Sequence, residues 1–214
     1  MALSKADFNN INVTAVASKK LKWNSAADGF EAGDVGGSIV LLSTQTADGS
    51  GTAITFDSGI DSTYNTYLFK YINIHPQTDN VDFNVNFRDG STAYDAVKTT
   101  HYFYSYNNEA ADEAALTYYT SGDLAQGTGV QLLSGSTGNG NDECLSGEMF
   151  LYNPSSTTFV THFMAINNTY HKADYSQNRF VGGYCDGAAA IDGVQFSVSS
   201  GNIDSGTFKM YGIT

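Results

Sequence analysis

The sequence predicts an all-β protein, built as a two-sheet β-sandwich of jelly-roll type with about eight to ten strands. Composition is the first indication: 14 Tyr and 13 Phe favour pleated strands, 22 Gly suit turns, and only 15% of residues are charged. The second is a series of short apolar segments separated by Gly, Asn and Asp. The third is the lack of a repeat of about 20–50 residues, which argues against a propeller or a solenoid.

The first 35 residues are expected to form an extended docking arm, followed by a single β-sandwich domain over residues 36–214. The arm is basic, since residues 1–25 contain four lysines against one aspartate, whereas the whole chain has a net charge of -12. It also carries the only Trp. Such a segment can bind an acidic partner, and a solvated tail with its Trp packed on its own domain is the alternative. The candidate partner-binding residues are Lys19, Lys20, Leu21, Lys22 and Trp23.

Strand signals begin at Ser38 and continue to the end of the chain. The run 39–42 is typical of a buried strand, and 81–88 has the clearest alternation, with polar residues that are predicted to face water or a partner. The residues of that strand predicted to face the core are Val81, Phe83, Val85 and Phe87. Further strands are predicted at 53–56, 67–74, 102–106, 131–133, 148–152, 159–166, 194–198 and 208–211.

One short surface helix is predicted near residues 108–116. Asn108 can cap its N-terminus, acidic residues follow in the first turn, and alanines continue the segment. The last two strands are predicted to flank a tight Ser-Gly-Asn turn at 200–202.

The sequence carries few signs of chemistry, so we expect no enzyme, no cofactor and no metal. The histidines have no metal-ligand spacing, and neither a phosphate-binding loop nor a Gly-x-Ser-x-Gly elbow occurs. Oxygen donors at 139–143 leave calcium as a weak alternative. Cys144 and Cys185 are expected to be free thiols, with a single bridge as the alternative. The acidic charge disfavours nucleic acid and anionic membranes as partners.

Four segments resemble structural proteins of tailed-bacteriophage virions. Phe56–Tyr67 contains the Ile-x-Ser-Thr-Tyr entry, Ser146–Pro154 resembles the unit of Ser-Gly, strand and Tyr-Asn-Pro, and Gly201–Ile213 is similar to the closing strand with its final Tyr-Gly-Ile. Ala17–Asn24 is similar to attachment segments of phage appendage proteins. The likeness covers most of residues 50–214 and implies a virion protein, without catalytic residues to carry over.

The expected function is therefore that of a non-enzymatic virion structural protein on the outer surface of the particle, made in the host cytoplasm. We expect an outer capsid cement or decoration protein, a homotrimer that binds the major capsid protein lattice or other virion proteins through its N-terminal arm. A head domain of a tail fibre or tail appendage, which binds a host-surface glycan, is the alternative.

Overall fold

The computed structural model describes residues 19–26, 28–34, 38–187 and 189–214. These residues form fourteen strands and one short 3-10 turn, Thr120–Gly122, so the all-β prediction is confirmed. The chain divides into two compact units, Met1–Ser38 and Ile39–Thr214.

The described part of the first unit is a β-hairpin. Strands β1 (Lys19–Trp23) and β2 (Phe30–Asp34) are antiparallel, with Trp23 opposite Phe30. The turn closes through the backbone N–H of Asn24, which donates to the carbonyl of Gly29 at 2.9 Å. Residues 1–18 of the predicted arm lie outside the described residues.

The second unit contains the remaining twelve strands. They are β3 (Ile39–Ala47), β4 (Ala53–Phe56), β5 (Thr66–Pro76), β6 (Val81–Arg88), β7 (Lys98–Asn108), β8 (Ala114–Tyr118), β9 (Gln131–Thr137), β10 (Leu145–Tyr152), β11 (Thr161–His171), β12 (Tyr175–Cys185), β13 (Gly193–Val198) and β14 (Ile203–Ile213).

These strands form one large antiparallel sheet that is nearly closed into a barrel. One stretch of the sheet runs β3-β14-β5-β10-β11-β12-β7-β8, and the other runs β9-β6-β13-β4. The pairing between β11 and β9 consists of one residue pair, His171 with Thr137. Aromatic rings from the two stretches pack against one another in the core. They are Phe56, Phe69, Tyr71, Phe83, Phe196 and Phe208.

The alternation predicted for β6 is confirmed on its apolar face. Its four hydrophobic side chains are buried. The prediction for the opposite face is wrong at two positions, because Asn84 and Asn86 are buried as well. Asn86 Oδ1 accepts a hydrogen bond from Nζ of the buried Lys98 at 2.6 Å, which explains how this polar position tolerates burial.

The helix predicted near residues 108–116 is wrong. The segment forms the turn between β7 and β8, and β8 pairs with β7. Asn108 Oδ1 accepts hydrogen bonds from the backbone N–H groups of Asp112 and Glu113, at 3.1 and 3.0 Å. A segment of this length gains too little from helix formation alone to resist pairing with an adjacent strand.

The burial predicted for the run at 39–42 is wrong at three positions. Ile39, Val40 and Leu41, predicted to be buried, are exposed on β3, which has β14 as its single partner among the described strands. The last two strands form where predicted but do not pair with each other: β13 lies between β6 and β4, and β14 lies between β3 and β5. Strand β12 was not predicted from the sequence at all.

Candidate docking surfaces

The predicted partner-binding residues lie together on β1. Trp23 is 61% exposed and stacks on Phe30, with ring centroids 4.4 Å apart. Leu21 shares their face of the hairpin and is also exposed. Lys22 Nζ lies 3.1 Å from a carboxylate oxygen of Glu31, so its charge is partly neutralised within the hairpin. The hairpin thus presents an exposed apolar patch rather than a purely basic one, and Lys19 and Lys20 belong to the same strand.

A second candidate surface lies on the outer side of the central strands of the larger unit. Side chains on β11 alternate between buried and exposed from Thr161 to Thr169, so its exposed residues are His162, Met164, Ile166 and Asn168. Neighbouring strands β7, β10 and β12 add outward aromatic residues in matching register. We call this surface the apolar face; its members are His101, Phe103, Phe150, His162, Met164, Ile166, Phe180, Gly182 and Tyr184.

A groove of about 680 Å³ crosses the apolar face. Its floor lies at Gly182, which is opposite Met164 on one side and His101 on the other. A Cβ atom on Gly182 would lie 2.7 Å from Cε1 of His101, so the missing side chain lets the imidazole rest against the sheet. Phe103 stacks on Phe180 beside it, with centroids 4.9 Å apart.

The groove has a largely apolar lining that includes two histidines, His101 and His162. Its described lining residues include no Asp, Glu, Lys or Arg, although the protein as a whole has a net charge of -12. On the same side of the sheet, Glu148 lies opposite Ile166, and its carboxylate pairs with Lys70 at 3.4 Å. The apolar face therefore has the composition of a protein-contact core rather than of a polar ligand site.

A polar cleft of about 240 Å³ lies farther along the same strands. The Tyr170 hydroxyl donates to Glu109 at 3.0 Å, and the Tyr175 hydroxyl donates to Glu113 at 2.6 Å. The bond to Glu109 is the main cause that raises the pKa of Tyr170 to about 12. Asn168 completes a set of aromatic rings, amides and carboxylates of the kind that can contact a sugar.

The other residues singled out in the sequence do not converge on one site. His162 belongs to the apolar face, whereas His75 lies beside Asp204, with Nδ1 3.4 Å from its carboxylate. The Glu143 carboxylate accepts a hydrogen bond from the backbone of its own loop. Within the described ranges, no three His, Cys, Asp or Glu side chains are placed to hold a metal ion.

Both cysteines are free thiols, as predicted. Burial raises the pKa of Cys185 to about 12 and also raises the pKa of Cys144. Neither thiol is therefore activated as a nucleophile at neutral pH.

The strand predicted at 159–166 came without an assignment of its hydrophobic residues to an inner or an outer side, so the apolar face was not predicted. The available signal was a strand with apolar residues at successive positions, which leaves hydrophobic side chains on both faces. The residues of the strand do not show which molecule contacts its outer face.

No protein-family model matches this sequence, and no curated protein is detectably similar to it. Across the part of the chain that the structure describes, no helix combines the length and the hydrophobicity needed to span a bilayer.

Proposed function

We propose that the protein is a non-enzymatic structural protein of a bacteriophage virion, and specifically an outer capsid cement or decoration protein. In this proposal residues 1–35 bind the major capsid protein lattice. The observation that carries it is the exposed stack of Trp23 on Phe30, displayed on a hairpin that belongs to a unit distinct from the body. A two-stranded hairpin is marginally stable in isolation, so an apolar patch on it favours a role in binding.

The phage assignment rests on the resemblance in the sequence. The closing segment that carries it is strand β14, and the Ser-Gly and Tyr-Asn-Pro unit corresponds to β10 and the turn after it. Both are central, hydrogen-bonded parts of the sheet, which fits motifs that specify a fold rather than a reaction.

For the body we infer a two-sheet sandwich of jelly-roll type. The single residue pair between β11 and β9 supports a division of the large sheet into two layers. The contact of Phe69 and Tyr71 on β5 with Phe196 and Phe83 on the other stretch supports face-to-face packing of those layers.

The docking role of the arm is tested by measuring how tightly the purified protein binds to capsids from which this protein is missing. We expect Trp23→Ala to weaken binding about tenfold or more, because a central aromatic anchor typically contributes most of the energy of such a contact. Phe159→Ala, which removes an aromatic ring that is 72% exposed on the body, is the matched control and should bind normally. Unchanged binding of the Trp23→Ala chain would contradict the docking role of the arm.

The alternative function is that of a tail-fibre or tail-appendage head that binds a host-surface glycan. The polar cleft beside Tyr170, Tyr175 and Asn168 favours it. Antibody labelling of intact particles separates the two proposals, since label over the whole head supports decoration and label confined to the tail supports an appendage. Loss of binding to host cells in a Tyr175→Ala variant would further support the appendage.

A further inference from the structure

We propose that the apolar face is the surface through which copies of this chain associate with one another. The inference goes beyond the proposed function, because it concerns the body of the protein and not the arm. The inference rests on the area of the apolar face, on the lack of charged residues in the described lining of its groove, and on its shape.

The apolar face covers four adjacent strands, β10, β11, β12 and β7, and β8 adds one further residue at its edge. Tyr118 on β8 lies opposite Phe103 in the same row and is 57% exposed. On the central strand, Met164 and Ile166 are 56% and 43% exposed. With four strands about 4.8 Å apart and three rows of outward side chains, the patch measures roughly 19 by 20 Å, or about 400 Å², and Glu148 lies at one corner of it.

An area of this size fits the core of one protein interface. The largest apolar patches on monomeric proteins cover about 300–600 Å² and often serve binding, while a stable interface buries about 800 Å² on each partner. The apolar face would supply the central part of such an interface, and surrounding polar residues would supply its rim.

The distribution of charge favours a second copy over a basic partner as the occupant. The protein has a net charge of -12, so two copies repel one another over most orientations. The groove lining has no charged residue among those described, and it is a place where two copies can meet without bringing carboxylates together. A basic partner would gain more from the acidic remainder of the surface, and a glycan would need more hydrogen-bonding groups than these walls offer.

The shape of the apolar face suits contact with a second copy of itself. Met164 is exposed and lines the groove next to its strand partner Gly182, so one surface carries both an exposed, flexible side chain and a recess. Met is flexible and polarizable, and it adapts well to an apolar recess such as the one a second copy would present. A symmetric contact uses the same patch on both sides, so a patch with both features can meet a second copy of itself.

The test is the molar mass of the full chain in solution, measured by light scattering and by sedimentation over a range of concentrations. We expect the wild type to be oligomeric and Met164→Lys to shift it to the monomer, with a dissociation constant at least about tenfold higher, because a lysine would be desolvated at the centre of the contact. Val130→Lys, at a position that is 48% exposed outside the face, is the matched control and should leave the oligomer intact.

Circular dichroism and the melting temperature establish that each variant is folded, and Ile166→Lys repeats the test at a second exposed position. A wild-type chain that stays monomeric at the highest concentration overturns the proposal, as does an oligomer that neither lysine on the face weakens. A monomeric wild type whose Met164→Lys variant loses capsid binding would assign the face to a capsid subunit instead. Capsid binding by the Trp23→Ala variant is a separate measurement, so the proposal about the arm and the proposal about the apolar face can be contradicted independently.

Discussion

At the scale of single residues, His171 shows how a partly buried polar group depends on its protonation state. Its Nδ1 accepts a hydrogen bond from the backbone N–H of Ala173 at 3.1 Å, which only an unprotonated nitrogen can do. Burial lowers the pKa of His171, and the positive charges of Arg179 and Lys172 lower it further.

We therefore expect His171 to destabilise the fold as the solution becomes acidic. The unfolded chain binds a proton near the ordinary histidine value of about 6.5, whereas the folded chain resists it, so the free energy of unfolding falls as pH drops below that value towards the lowered folded pKa. Urea unfolding at pH 7.5 and at lower pH measures this dependence. The variant His171→Gln, which can still accept a hydrogen bond but does not titrate, should lose less stability over the same window. Equal losses in the two proteins would show that His171 is not responsible.

Residue-scale burial was the hardest property to predict from the sequence. Lys98 and Arg179 are charged residues on strands and would be assigned to the surface. In the structure Lys98 is fully buried and Arg179 is only 5% exposed. Lys98 finds its acceptors on Asn86 and on the carbonyl of Ala96, and Arg179 donates to Tyr102 at 2.7 Å. Asn86 and Tyr102 lie on strands other than those of Lys98 and Arg179 respectively, so burial of this kind depends on the tertiary fold.

At the scale of elements, the hairpin of β7 and β8 explains why a helix signal can mislead. An Asn followed by acidic residues is favoured both at a helix N-terminus and in a tight turn, because in each case its side-chain oxygen accepts backbone N–H groups. Here Asn108 binds the N–H groups of Asp112 and Glu113 while its own N–H donates to the Glu113 carbonyl at 3.0 Å. Pairing with β7 decides between the two structures.

Replacing Asn108 should loosen this hairpin. We expect Asn108→Ala to destabilise β8 locally by about 1–2 kcal/mol, because two backbone N–H groups lose their partner. Hydrogen–deuterium exchange of the β8 amides measures the effect, which should exceed the change in global stability. Asn107→Ala, at an exposed neighbouring position, is the control and should leave the β8 amides protected. Exchange of β8 that is insensitive to Asn108 would contradict this account of the turn.

At the scale of the whole molecule, the final strand β14 is an internal strand of the large sheet. This strand pairs with β3 on one side and with β5 on the other, and it contributes the buried Phe208 and Met210 to the core. Its neighbour in sequence, β13, joins the opposite stretch of the sheet. Consecutive strands therefore link the two stretches through the turn at 199–202.

We expect a chain that ends at Asn202 to lose its cooperative fold. Loss of a buried Phe alone typically costs about 3–5 kcal/mol, against a total stability of about 5–15 kcal/mol for a domain, and this deletion also leaves the edges of β3 and β5 unpaired. Thermal melts followed by circular dichroism measure the loss. Removal of Thr214 alone, which lies outside β14, should have little effect. A cooperative melt of the shortened chain would show that β14 is dispensable.

The same scale sets the limit of sequence-based prediction for this protein. Strand positions such as β5, β6 and β10 follow from local alternation and were predicted well. The order of strands in the sheet depends on which distant segments pair, so the separation of β13 from β14 could not be read locally. The apolar face could not be predicted for a similar reason, because the identity of a hydrophobic residue does not show whether it lies on the inner or the outer side of a sheet.

The position of Trp23 gives the molecule a natural optical label. It is the only indole in the chain, and it lies on the hairpin rather than among the aromatic rings of the core. Its emission spectrum therefore reports the surroundings of the hairpin, while unfolding of the body is followed through its tyrosines. Contact with a capsid would shift that emission to shorter wavelength as water leaves the ring, so attachment can be titrated on unmodified protein.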